Sequence, residues 1–197
     1  MSGFKAFLAR KNIVFSAKRY GIDALGAMAQ GLFCSLLIGT IIKTLGTQLG
    51  IPLLVQMGSF ASAMSAPAMA VAIGYALQAP PLVLFSLAAV GQAANSLGGA
   101  GGPLAVLFIA ILAAEFGKAV SKETKVDLLV TPFVTIFVGV VLSYVIAPPI
   151  GSVADAFSTL INRATMLQPF WMGILVSVLV GVALTLPISS AAICHTL

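Results

Sequence analysis

Residues 91–103 read Gly-Gln-Ala-Ala-Asn-Ser-Leu-Gly-Gly-Ala-Gly-Gly-Pro and interrupt an otherwise apolar stretch. Residues 81–95 form a hydrophobic run on one side, and residues 103–117 form a second of equal length on the other. As helices rising about 1.5 Å per residue, each is roughly 22 Å long, short of the roughly 30 Å hydrocarbon core of a bilayer. In lipid every backbone polar group must find a partner. Irregular backbone at that depth survives only where protein or a water-filled cavity supplies one. Short, glycine-interrupted segments of this kind point to a transporter's binding region. The expectation is a helix break or hairpin tip enclosed by protein.

Composition fixes the class. The chain is 60% hydrophobic and 8% charged, with mean hydropathy +1.13, against roughly 25% charged residues in a soluble domain. The fold class is all-α: a polytopic helical membrane protein, with residues 1–197 as one membrane domain embedded in a lipid bilayer. The net charge of +5 does not signal nucleic acid, because Lys5, Arg10, Lys11, Lys18 and Arg19 all precede the first span. Basic residues so placed set orientation. Cys34 and Cys194 show no pair spacing and read as small buried residues rather than a disulfide or metal site. No metal cluster, catalytic triad or carboxylate pair is visible, and no cofactor is expected. The basic head is too long for a secretory signal, and several spans follow the first.

About six hydrophobic segments emerge: 23–45, 56–78, the short pair 81–95 and 103–117, 128–147, and 169–191. Pro148-Pro149 is expected to stop the fifth, since proline continues a helix poorly. Residues 1–19 mix phenylalanines with cations, as an interfacial helix on the cytoplasmic leaflet would, although a frayed charged tail fits too. Residues 151–166 are amphipathic: Val153, Phe157, Leu160, Ile161 and Ala164 oppose Asp155, Ser158, Asn162 and Arg163. This pattern predicts a helix lying on the outer surface. With the N-terminus inside, four crossings return the chain to the cytoplasm at Lys118, Lys122 and Lys125, in keeping with the positive-inside rule. Two re-entrant arms would give the same orientation. Tyr144, Phe170 and Trp171 then form an outer aromatic belt.

Gly58, Ser62, Ala66, Ala70 and Gly74 place a small residue at every fourth position, a stripe that lets helix backbones approach closely. Plain packing accounts for it; Pro67, which frees a mid-membrane carbonyl, is the one functional hint. Gln92 and Asn95 lie beside the glycine run. Facing a cavity, their amides suit sugar hydroxyls or another small polar solute; facing a helix, they make interhelical hydrogen bonds. Gln30 reads as the second kind. Gly98, Gly99, Gly101 and Gly102 lack the Lys-Ser/Thr ending of a phosphate-binding loop, so a nucleotide site is not expected. They line a path or form a plain connector. Glu115 is the only acid inside a hydrophobic run, three residues before Lys118, and an interfacial ion pair competes with a proton-coupling role. Lys43 near the outer end of the first span is placed to snorkel.

Asn95-Ser-Leu-Gly-Gly-Ala-Gly-Gly-Pro103, the charged Lys118-Ala-Val-Ser-Lys-Glu-Thr-Lys125 loop, Leu167-Gln-Pro-Phe-Trp-Met-Gly173 and Leu186-Pro-Ile-Ser-Ser-Ala-Ala192 together carry a resemblance. The chain resembles the EIIC-like membrane proteins of the bacterial phosphotransferase system, in the branch with perfringolysin O regulator-like proteins. Relatives of this kind have more spans, so the resemblance implies that the chain corresponds to the N-terminal part of such a protein. It implies a permease component in the bacterial inner membrane that binds and translocates a small polar solute, a sugar by analogy. It also implies cytoplasmic phosphocarrier proteins acting in trans, and allows a homo-oligomer. A membrane sensor that kept the permease fold, or an inactive fragment, is the alternative. The glucose-type Gly-Ile-Thr-Glu signature is absent, so no particular sugar carries over. Cys194 and His195 offer no built site for a phosphoryl relay, and the chain is not expected to phosphorylate a substrate by itself.

Overall fold

The computed structural model describes residues 7–14, 16–165 and 177–178. Among the described residues six helices form the bundle: α1 (Lys18–Leu49), α2 (Pro52–Ala63), α3 (Ser65–Ala76), α4 (Pro81–Gly98), α5 (Gly102–Val120) and α6 (Asp127–Thr165). α1 contains two π-helical stretches, Lys18–Asp23 and Phe33–Leu37. It ends at Gly50, whose left-handed φ of 66° closes the helix without a Cβ penalty. Pro52 then opens α2, where its missing N–H costs nothing.

The described chain contains three stretches long and apolar enough to cross a membrane, or four if the bent α2–α3 pair is one span. One of them, Pro81–Val120, doubles back on itself. A Cβ on Gly117 would meet Val83 at 2.8 Å, whereas 34 residues of straight helix would hold those positions about 50 Å apart. α4 and α5 therefore form an antiparallel hairpin, turned by the 3₁₀ segment Gly99–Gly101. Its arms are 18 and 19 residues long, about 27 and 28 Å. They are longer than the polarity of residues 91–98 suggested, because Gln, Ala, Asn and Ser lower hydropathy without breaking a helix. Val83, Leu87, Val90 and Ala94 on α4 and Ala105, Ile109 and Ala113 on α5 are fully buried, the spacing of one helical face.

The small-residue stripe changes partner along its length. Gly58 meets α1, where an added Cβ would lie 2.5 Å from the Gly39 carbonyl, and Gly39 in turn abuts Ser62. Ala66 and Ala70 face Gly91 on α4, and Gly74 packs against Leu87. The 46° bend between α2 and α3 turns the stripe from one neighbour to the other. Phe85, Phe108, Phe116, Phe133 and Phe137 are exposed around the bundle, as lipid-facing side chains are.

Three expectations are corrected. Cys34, read as a buried residue, is exposed on α1. α6 does not stop at Pro148-Pro149; it runs through Pro132, Pro148 and Pro149 for 39 residues. Packing outweighs the lost hydrogen bonds there, since Gly101 and Gly151 bring the hairpin tip against this stretch. A Cβ on Gly101 would lie 2.8 Å from the Ile150 carbonyl, and one on Gly151 would lie 2.7 Å from that of Gly98. The second hydrophobic segment, 56–78, is likewise two helices, broken at Met64. Pro67 sits in the first turn of α3, where a proline is tolerated. Apart from residues 177–178, the last expected span, 169–191 with Phe170 and Trp171, lies outside the described residues, as do Cys194 and His195.

The contacts order two glycine substitutions. Gly91→Leu places a Cβ 2.6 Å from the Ala66 carbonyl and Ala70 Cβ, so α3 and α4 must separate. Gly99→Ala meets nothing within 4 Å but keeps a φ of 50°, a strain of about 1–3 kcal/mol. Thermal unfolding of the detergent-solubilised chain should show a much larger fall in midpoint for Gly91→Leu than for Gly99→Ala.

Candidate functional site

The hairpin tip is packed rather than open. Gly98, Gly101 and Gly102 are buried and Gly99 is exposed. Gly102 lies so close to the Asn95 amide that any Cβ there would overlap its Oδ1. The glycines thus let α4, α5 and α6 converge. Gln92 and Ser96 are exposed on α4 and Asn95 is half-buried, forming a polar patch at i, i+3 and i+4. Gln30 is exposed on α1, away from that patch in sequence and helix. A cavity of about 310 Å³ beside the tip is lined by Gly101, Leu104, Pro149, Ile150, Val153, Ala154 and Phe157. It is apolar and does not include Gln92 or Asn95.

Polar chemistry concentrates at the other end of the bundle. Seven of the ten Lys and Arg residues (Arg10, Lys11, Lys18, Arg19, Lys118, Lys122 and Lys125) lie on the N-terminal segment, the start of α1 and the α5–α6 turn. Lys118, in the last turn of α5, has a side chain only 1% exposed and pairs with Glu115 at 2.8 Å. Its ammonium also donates to the carbonyls of Asn12 at 3.2 Å and Leu77 at 3.1 Å. Arg19 donates to the same two carbonyls, at 3.0 and 2.5 Å. Tyr20 donates its hydroxyl to Glu115 at 3.1 Å.

Local chain geometry explains why those carbonyls are available. The helical turn at residues 7–10 and helix α3 both end here, and the last carbonyls of a helix have no partner within it. Asn12 and Gln78 leave their helices in left-handed conformations, with φ of 53° and 55°. Both tolerate it better than β-branched residues would. Their side chains then meet, the Asn12 amide donating to Gln78 Oε1. Two cations thereby neutralise two helix C-termini, where negative partial charge accumulates.

Outside this knot, Glu123 holds the N-terminal segment through Arg10 at 2.7 Å and Lys11 at 2.6 Å, and Lys11 also donates to the Ser121 carbonyl. The Lys11 hydrogen bond, helped by Arg10, keeps the Glu123 carboxyl below its ordinary range. A cavity of about 400 Å³ opens among Arg10, Lys11, Asn12, Gln78, Pro80, Lys118, Ser121, Lys122 and Glu123. Sequence reasoning singled out Glu115 and Lys118 but missed Asn12, Gln78 and Ser121. The available signal was a lysine at the end of an apolar run, which needs carbonyl partners beyond one glutamate. Among the described residues, no three His, Cys, Asp or Glu gather as a metal site would require.

The direction of the Glu123 shift carries a pH dependence. A depressed carboxyl pKa means the folded state binds fewer protons than the unfolded one, so its stabilisation is present above the ordinary value of 4.5 and lost as pH falls below it. Hydrogen exchange at residues 8–13, corrected for intrinsic rates, should be flat above that value and accelerate below it. Glu123→Gln should show the faster exchange already at neutral pH.

A family model described as phosphotransferase system, EIIC, matches residues 22–197. No curated protein and no solved structure matches the chain.

Proposed function

From the premise that the chain belongs to the phosphotransferase system EIIC family, we propose that it is the permease component of a sugar phosphotransferase system in the bacterial inner membrane. The family match over residues 22–197 carries this reading. In it, Gln92 and Asn95 contact the hydroxyls of a small polar solute, and Gly98, Gly99, Gly101 and Gly102 give the hairpin tip the close backbone fit that positions them. Exposed amides within a hydrocarbon layer are costly without partners, and a sugar or a second copy of the chain supplies them. The basic end faces the cytoplasm, following the positive-inside rule, and presents cations to soluble phosphocarrier proteins that deliver the phosphoryl group.

Uptake of labelled sugars by cells with and without the gene tests the reading. Gln92→Ala and Asn95→Ala should each lower uptake by about five- to tenfold, the cost of a lost solute hydrogen bond. Gln30→Ala should change it little. Lys122→Cys should resist impermeant thiol reagents in intact cells. Normal uptake in the amide variants removes the site, and strong labelling at position 122 removes the orientation.

A further inference from the structure

The cavity at the basic end has the chemistry of an anion site. Four cations line it (Arg10, Lys11, Lys118 and Lys122). Glu123 pairs with Arg10 and Lys11, and Glu115 with Lys118. With Asp127 beside Lys122 counted as well, four positive charges against three negative leave the cavity net positive, the sign that an anion needs. Lys122 makes no salt bridge among the described residues, although its charge acts on Asp127, whose carboxylate accepts from its backbone N–H at 2.7 Å.

A second observation points the same way. Ser121 lines the cavity and is 3% exposed, yet its hydroxyl has no hydrogen-bond partner among the described residues. A buried hydroxyl without a partner is costly, and a phosphoryl oxygen is a strong acceptor for it. Lys122 itself is held at φ 63°, a strained backbone of the kind that clusters at ligand sites. The volume of about 400 Å³ lies in the range of small-molecule pockets.

We propose that this cavity binds a phosphate monoester group, with Ser121 donating its hydroxyl and Lys122 and Arg10 supplying charge. The site stands on these residues alone and does not depend on transport. The group arrives on a soluble phosphorylated sugar or on the headgroup of phosphatidic acid.

The chain in phosphatidylcholine nanodiscs is titrated with inorganic phosphate and with glucose 6-phosphate by calorimetry. In parallel, nanodiscs containing phosphatidic acid are examined for retained lipid by native mass spectrometry. Saturable binding of any of the three probes is expected, weakened about five- to tenfold by Ser121→Ala and by Lys122→Gln. Lys125→Gln, outside the cavity, should leave it unchanged. Binding of the soluble probes identifies a soluble ligand; retention of phosphatidic acid alone identifies the lipid. Absence of saturable binding in every arm, or affinity unchanged in both cavity variants while they remain folded, overturns the proposal.

Discussion

One buried ammonium organises the basic end of this bundle. Lys118 reaches Glu115 and the carbonyls of Asn12 and Leu77 within 3.2 Å, so three chain segments meet at a group that water scarcely touches. A buried charge is tolerated only when paired and hydrogen-bonded. Removing one partner of such a pair costs about 3–5 kcal/mol, because the other is left uncompensated. The arrangement is economical in sequence: Lys118 lies one turn from Glu115, while the two carbonyls come from chain ends that any helix leaves unsatisfied. Arg19 repeats the contact to both carbonyls from the start of α1. The N-terminal segment, α1, α3 and α5 are thereby fixed to one another at a single level.

From that level the helices rise with little polar help. What holds them is backbone proximity. Gly31 lies against Ala68 and Met69, Gly91 against Ala66 and Ala70, and Gly117 against Val83 and Thr135. Lipid offers no hydrophobic reward for bringing two apolar helices together, so packing contacts of this kind must do it. Polar side chains along the way are satisfied within their own helix. Thr135 and Ser143, both buried on α6, donate to the carbonyls of Thr131 and Gly139. The glycine-turned hairpin tip closes the account at the far level, where Gly101 and Gly151 admit α6.

The helical class, the membrane setting and the glycine break were legible in the sequence because each rests on hydropathy or on backbone conformation, both local properties. The pairing of Glu115 with Lys118 was legible for the same reason, being one turn of one helix. Other features depended on tertiary packing. Pro148-Pro149 looked like a terminator, but the hairpin tip packs against the helix at that point and holds it together. The kink at Met64 has no glycine and sits three residues before the only nearby proline. The meeting of Asn12 with Gln78 joins residues 66 positions apart, and no periodicity announces it. The amide patch of Gln92 and Asn95 was visible as composition, while its exposure on α4 was not.

The central claim, that Lys118 ties the N-terminal segment and the end of α3 to α5, is tested most directly by hydrogen-exchange mass spectrometry of Lys118→Met beside the unmodified chain. Residues 8–14 and 73–80 should lose protection together, while residues 98–104 at the far level keep theirs. Unchanged exchange at both of the first two segments in a folded variant would contradict it.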